Sequence, residues 1–201
     1  MTLALLDTNS YLRLAKRVRP LLGKPFGQKK YVLTVLLDVE REVKKSQRLS
    51  FRNPWFDEEE LAEERDSKRV RLSVKEKGEI DAMQSIMLAH VRENVDLFVN
   101  GQHASQPPGK VDCFCLAFGE VRGAIVVTDD LSMHTLAANF ELKVWHGYEV
   151  LAKMLTAKAI DKDKVVEVYN ALEANDDLTR TWREAKHTVF KKVFGSLPIE
   201  E

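Results

Sequence analysis

Short apolar runs constrain this chain more than any other feature. They fall at 3–6 (LALL), 31–37 (YVLTVLL), 96–99 (DLFV), 124–127 (AIVV) and, more weakly, 143–145 (KVW). Helical patterns separate most of them. Short apolar strands alternating with helices predict an α/β fold with a mainly parallel central sheet. Loop signals fit that reading: GKPFGQKK precedes the second run and NGQHASQPPGK follows the third.

Two regions depart from the alternation. Residues 47–78 are strongly charged, acidic first (DEEELAEER) and basic second (SKRVRLSVKEK), and read as an insertion or lid. Leu61 is its expected anchor, and Trp55 and Phe56 are expected to pin it to the body. A better helix is expected from Glu79, with Ile80, Met83, Met87 and Val91 on its packed face. The segment from Asp161 predicts two further helices. One buries Val165, Val168, Tyr169 and Leu172. The other buries Leu178, Trp182, Ala185, Val189 and Val193 and exposes Arg180, Arg183, Lys186, Lys191 and Lys192. That second helix is expected to pack on the domain, the sharper alternative being a nucleic-acid or dimer contact.

Composition excludes little. The 201 residues suffice for one domain with a sizeable core. Lys plus Arg balance Asp plus Glu at 31 each, so net charge points to no polyanionic partner. The start MTLALLDTNS lacks a basic leader region, and no apolar run reaches membrane-spanning length. Cys113 and Cys115 are too close for an ordinary disulfide and too few for a zinc site. A soluble, cytoplasmic setting is the expectation.

The acids matter for where they fall. Asp7 directly follows the first apolar run, and Asp129 and Asp130 directly follow the fourth. In a parallel α/β sheet the C-terminal strand ends share one edge, where ligand sites form. Asp112 opens the helix that contains CFCLAFGEVRG. In LLDVEREV the expected buried stripe is Leu36, Val39 and Val43. Glu40, four residues after Leu36 and three before Val43, is expected on that face, with Asp38 and Glu42 pointing elsewhere. A carboxylate on an apolar stripe is costly unless paired or metal-bound. Asp7, Asp112 and Asp130 each also read as ordinary helix caps, and Glu40 can reach solvent. Four converging carboxylates would need a cation, and an all-oxygen donor set suits Mg²⁺ or Mn²⁺ and phosphoryl chemistry.

The stretches LLDTNSYL, TVLLDVEREV, VDCFCLA and AIVVTDDLSM…LAANF resemble, in order, the four acidic motifs of PIN-domain nucleases. The resemblance covers roughly residues 1–155, omitting the charged insertion at 47–78; residues 156–201 would be a C-terminal helical extension. It implies a three-layer α/β/α fold and a metal-dependent ribonuclease acting on RNA, with single-stranded RNA the expected substrate of this chain. It also implies kinship with the VapC-like toxins of toxin–antitoxin pairs, whose partner would be an antitoxin. Position by position, Asp7, Glu40, Asp112 and Asp130 match the acidic quartet that would hold one or two Mg²⁺ or Mn²⁺ ions. Asn9 and Thr128 match the polar residues that hold those acids, and Asp129 would stand behind Asp130. Arg13, Lys16, Arg17 and the C-terminal basic cluster are candidate contacts to the RNA backbone. The insertion and the extension exceed a minimal family domain. Two alternatives stand beside this: a non-catalytic PIN-like module binding RNA or protein, and a metal-dependent phosphatase-type domain. A second copy of the chain, as a homodimer, is a further candidate partner. His103, His134 and His146 have no partner at telling spacing and receive no role.

Overall fold

The computed structural model describes residues 1–99 and 106–195. It is an α/β structure whose four strands, β1 (Thr2–Leu6), β2 (Tyr31–Thr34), β3 (Ile125–Val127) and β4 (Val144–Trp145), form one sheet. All neighbours are parallel and the order is β2-β1-β3-β4. Helices α1 (Thr8–Ala15) and α2 (Leu37–Lys45) follow the first two strands. Next come α3 (Gln47–Arg52), a 3-10 turn at Pro54–Asp57, α4 (Glu59–Lys68), α5 (Val74–Glu93) and the short α6 (Asp96–Val99). The second half holds α7 (Lys110–Arg122), α8 (Leu131–Asn139) and α9 (Gly147–Thr156). It closes with α10 (Lys162–Ala174), α11 (Arg180–His187) and α12 (Lys191–Phe194).

Strand alternation assigns the two faces. Ala4, Leu6, Leu33, Ile125 and Val127 point into one core with side chains of α1, α2, α9, α10 and α11. Leu5 and Val126 point into a second core with α5, α7 and α8. Helices therefore cover both sheet faces, as a parallel sheet requires. On the second face α7 lies so close that a Cβ on Gly119 would meet Val126 Cγ2 at 2.8 Å. Glycine is what allows that approach.

Four of the five expected runs are strands. The exception is DLFV, which forms α6: Leu97 N–H bonds back to Asn94 O and Phe98 N–H to Val95 O, so the segment folds locally rather than joining the sheet. The helix expected from Glu79 begins at Val74. Ser73 caps it by accepting from Glu76 N–H, and the Glu76 carboxylate accepts from Ser73 N–H in return. Such a capping box contributes about 1 kcal/mol.

Residues 47–68 pack onto the first core through Trp55, Phe56 and Leu61, all buried. An unexpected participant is Arg65, only 3% exposed. Its guanidinium lies 3.7 Å from the Phe56 ring centroid and donates to Tyr11 Oη at 3.2 Å, so an apolar floor holds a charged fork by a cation–π contact. The last helices share the same core: Val165, Val168, Tyr169, Leu172, Leu178, Trp182 and Ala185 join the strand residues. The second of these was expected as one helix. The backbone breaks at Thr188 (φ −110°, ψ −76°), so Phe190 is buried while Val189 is half exposed. Fully burying Trp182 is worth roughly 3 kcal/mol. No helix among the described residues is long and apolar enough to cross a membrane.

Candidate functional site

The strand order locates a site before any side chain is considered. The chain leaves β1 in one direction to make β2, then returns past it to place β3 on the other side. Ligand sites form outside the carboxyl ends of strands where the order reverses. Here that point lies between β1 and β3. Asp7 N–H donates to Val127 O at 3.0 Å, tying the end of β1 to the end of β3. Asp7 on one side and Thr128, Asp129 and Asp130 on the other therefore share one edge.

Asp7 caps α1, its Oδ1 accepting from Ser10 N–H at 2.6 Å. Burial pushes its pKa up to about 6, although hydrogen bonds from the Thr128 hydroxyl and Ser10 oppose the rise. Asp130 caps α8. Its Oδ1 accepts from Ser132 N–H at 2.7 Å and from Ser132 Oγ at 2.8 Å, while its own N–H donates to Thr128 Oγ1 at 3.1 Å. Thr128 thus stands between the two acids, its hydroxyl donating to Met133 Sδ at 3.3 Å. Asp112 sits in the first turn of α7, where Oδ2 accepts from Gly109 N–H at 2.8 Å. Burial raises its pKa, Gly109 opposes this, and the fields of Asp130 and Glu42 raise it further. Capping occupies one oxygen each on Asp112 and Asp130 and leaves the other for a second role.

The fourth acid is not where the sequence pattern puts it. Glu40 pairs with Lys44 at 2.6 Å and Arg69 at 3.5 Å, and the bond from Lys44 holds its carboxyl below the usual value. Leu36 misleads the reading. It is the extended N-cap of α2 (φ −96°, ψ 160°) and packs in the second core, whereas Val39 and Val43 pack in the first. With Leu36 removed from the helical face, Glu40 and Glu42 fall on opposite flanks of the Val39–Val43 stripe. Glu42 lies on the flank facing the β1 end, where Thr8 Oγ1 donates to its Oε2 at 2.6 Å. Cys115 is buried near these groups. Burial raises its pKa first, and the fields of Asp7, Asp112, Asp38 and Glu42 add to the rise.

Asp129 differs from its neighbour in every respect. Its side chain is 1% exposed and bridges four elements. Oδ1 accepts from Gly147 N–H at 3.0 Å, and Oδ2 accepts from Trp182 Nε1 and from Arg13 Nη1, both at 2.9 Å. A Cβ on Gly147 would lie 3.0 Å from Trp182 Cζ2 and 3.1 Å from Asp129 Oδ2, so only glycine lets α9 start this close. Burial opposes the charge, yet His146 Nδ1 at 3.5 Å, the Arg13 charge and bonds from Trp182 and Gly147 hold the carboxyl below its usual value. Asp129 ties the sheet edge to the C-terminal helices.

This placement removes Arg13 from the expected RNA contacts. Its guanidinium is 12% exposed and pairs with Asp129 at 2.9 Å and Asp177 at 3.3 Å. Asn9, expected to hold the acids, is exposed on the second residue of α1. It lines a cavity of 690 Å³ together with Lys16, Arg17, Arg52 and Trp55. Thr8, its neighbour, makes the contact instead. His134 Nε2 lies 2.9 Å from Thr128 O and stacks on His146 with ring centroids 3.9 Å apart. His103 and the loop residues 100–105 lie outside the described residues. Cys113 and Cys115 are free and buried.

Among the described residues no group of three or more His, Cys, Asp or Glu side chains is drawn tightly enough together to form a ready metal cage. The acids share an edge and one another's field. Among the described residues no Lys or Arg ion pair reaches Asp7, Glu42, Asp112 or Asp130, whereas Glu40 and Asp129 are both paired. An uncompensated, oxygen-only set of this kind fits a hard divalent cation in charge and donor type. No family model matches the chain, and neither curated proteins nor solved structures give a significant match.

Proposed function

We propose that the chain is a PIN-like, metal-dependent nuclease that hydrolyses single-stranded RNA at the edge between β1 and β3. One observation carries the reading. Asp7 and Asp130 stand at the ends of adjacent strands tied by the Asp7 N–H to Val127 O bond, Thr8 brings Glu42 to the same edge, and no basic side chain among the described residues pairs with Asp7, Glu42, Asp112 or Asp130. Uncompensated carboxylates destabilise a fold, and a site that binds a cation is the usual reason for keeping them. Asp7, Glu42, Asp112 and Asp130 would hold Mg²⁺ or Mn²⁺, with Glu42 in the position the motif order gives to Glu40. A bound ion of this type supplies a lowered water pKa and charge stabilisation at phosphorus. The chain's own residues do the positioning. Ser10, Gly109 and Ser132 lock the carboxylates through capping bonds, Thr128 stands between Asp7 and Asp130, and Thr8 aims Glu42.

The test is incubation with a mixed RNA substrate in Mn²⁺ or Mg²⁺, with chelated and Asp7→Asn controls. Cleavage that both controls abolish supports the reading. No cleavage, or cleavage that neither control alters, refutes it. Turnover of small phosphomonoesters instead of RNA would favour a phosphatase.

A further inference from the structure

The cations expected to hold the substrate lie on the α1 side of the sheet edge. A different cleft, of about 1,020 Å³, lies on the side of the second core. One wall is the extended segment after α4, held against the end of β2 by Val70 N–H to Val35 O at 3.1 Å and Thr34 Oγ1 to Lys68 O at 2.8 Å. The opposite wall is α5 and the start of α7, joined by Gln84 Nε2 to Lys110 O at 2.6 Å. The flank of α2 that carries Asp38 completes it. The cleft neighbours the candidate site through shared helices: Lys110 and Val111 on its wall immediately precede Asp112 on α7, and Asp38, Arg41 and Lys45 on its wall belong to α2, which carries Glu42.

Charge and surface character then indicate what fits. Arg41, Lys45, Arg69, Arg71, Lys77 and Lys110 line the cleft against two acids, Asp38 and Asp81. Arg41, Arg69 and Lys77 are paired with carboxylates. Lys45, Arg71 and Lys110 are exposed and have no carboxylate partner among the described residues. Between the cations runs an apolar strip of Leu72, Val111 and Phe114, with Val111 39% exposed. The whole chain is electrically neutral, so this concentration of positive charge is local.

We infer that this cleft is the groove that guides a single RNA strand to the carboxylate edge, with Lys45, Arg71 and Lys110 on its phosphates and Phe114 under its bases. The inference rests on the proposed nuclease reading and adds the path of the substrate. A polyanionic backbone accounts for the unpaired cations, and open base faces account for the apolar strip. A duplex presents no such faces. The α1 cavity is the weaker candidate, because Arg13 there is committed to Asp129 and Asp177.

The test is fluorescence anisotropy of a short unstructured RNA with the full chain in EDTA, so that no cleavage enters. The triple variant Lys45→Ala/Arg71→Ala/Lys110→Ala is compared with Lys16→Ala/Arg17→Ala/Arg52→Ala from the α1 cavity. All six side chains are surface groups, and thermal melts of both variants check that folding is kept. Three lost phosphate contacts predict weakening on the order of a hundredfold near ~0.1 M salt and a salt slope shallower by about 2. The α1 triple should bind like the parent chain. The inference is overturned if the parent chain does not bind RNA, if the groove triple binds as tightly as the parent, or if the α1 triple loses as much. It is also overturned if a polyglutamate peptide binds through the same three cations and displaces the RNA. Binding that maps to the groove without any cleavage in Mn²⁺ would refute the nuclease reading and leave the groove standing.

Discussion

Asp129 and Asp130 are chemically identical neighbours, and the structure predicts opposite consequences for changing them. Asp129 is 1% exposed and accepts from Gly147 N–H, Trp182 Nε1 and Arg13. In Asp129→Asn the single amide oxygen can keep one or two of these donors, while the new NH₂ faces the others. Arg13 loses its buried partner but keeps Asp177 at 3.3 Å, so its charge is not wholly orphaned. Removing one member of a buried pair costs about 3–5 kcal/mol, and the Asp177 contact argues for the lower end, about 3 kcal/mol. For a chain of this size that is roughly 6–12 °C in Tm. Asp130 is a partly exposed cap, and asparagine caps as well as aspartate, so Asp130→Asn should change stability by less than about 0.5 kcal/mol. Yet Asp130→Asn should abolish Mn²⁺-dependent cleavage. Urea denaturation and thermal melts of both variants, alongside the cleavage assay, read the split. An Asp129→Asn protein as stable as the parent, or an Asp130→Asn protein that falls as far, would refute the bridging role assigned to Asp129.

Asp7 gives a pH test. Folding raises its pKa from 3.8 to about 6, so the folded chain binds this proton more tightly than the unfolded one. The contribution therefore falls as pH climbs from about 4 to about 6 and stays low above that, a loss of about 2–3 kcal/mol. Asp7→Asn should be the more stable protein at pH 7 in EDTA, with the gap closing towards pH 4; urea midpoints across that range check it, and destabilisation at pH 7 contradicts it. Mn²⁺ at a hundred times its Kd should stabilise the parent chain by about 2.7 kcal/mol in a thermal melt, and Asp112→Asn should remove most of that shift. Trp182→Phe, which loses the donor to Asp129 and leaves part of the indole volume empty at a fully buried position, should cost about 2–3 kcal/mol in urea denaturation. Gly147→Ala, driving a methyl to 3.0 Å from Trp182, should cost a similar amount.

The strands that hold the site were legible because each is a short apolar run with a polar residue at its end. Asp7 and Asp130 could be placed on one edge from that alone. DLFV failed because four residues of apolar character do not distinguish a strand from a helical turn, and here the local bonds to Asn94 and Val95 won. Glu40 is less buried than the stripe implies. Leu36 is still extended at the cap and packs in the other core, which leaves Glu40 on one flank of the Val39–Val43 stripe, paired with Lys44 and Arg69, and Glu42 on the other. Asp129 is legible only as a companion standing behind Asp130, and its bridging contacts are not. Its partners lie 116, 53 and 18 residues away in sequence, at Arg13, Trp182 and Gly147, and no local pattern encodes contacts of that span. The same distance hid the fate of Arg13, whose charge looked available beside the first motif.

The central claim is that carboxylates from separate strand ends share one cation, and that Glu42 rather than Glu40 belongs to the set. Titration of Mn²⁺ into the chain, followed by the loss of the free-ion electron paramagnetic resonance signal, tests it without any substrate. Saturable binding is expected in the parent chain, kept in Glu40→Gln and lost or greatly weakened in Glu42→Gln and Asp112→Asn. Absence of saturable binding, or its loss in Glu40→Gln with Glu42→Gln unaffected, would contradict it.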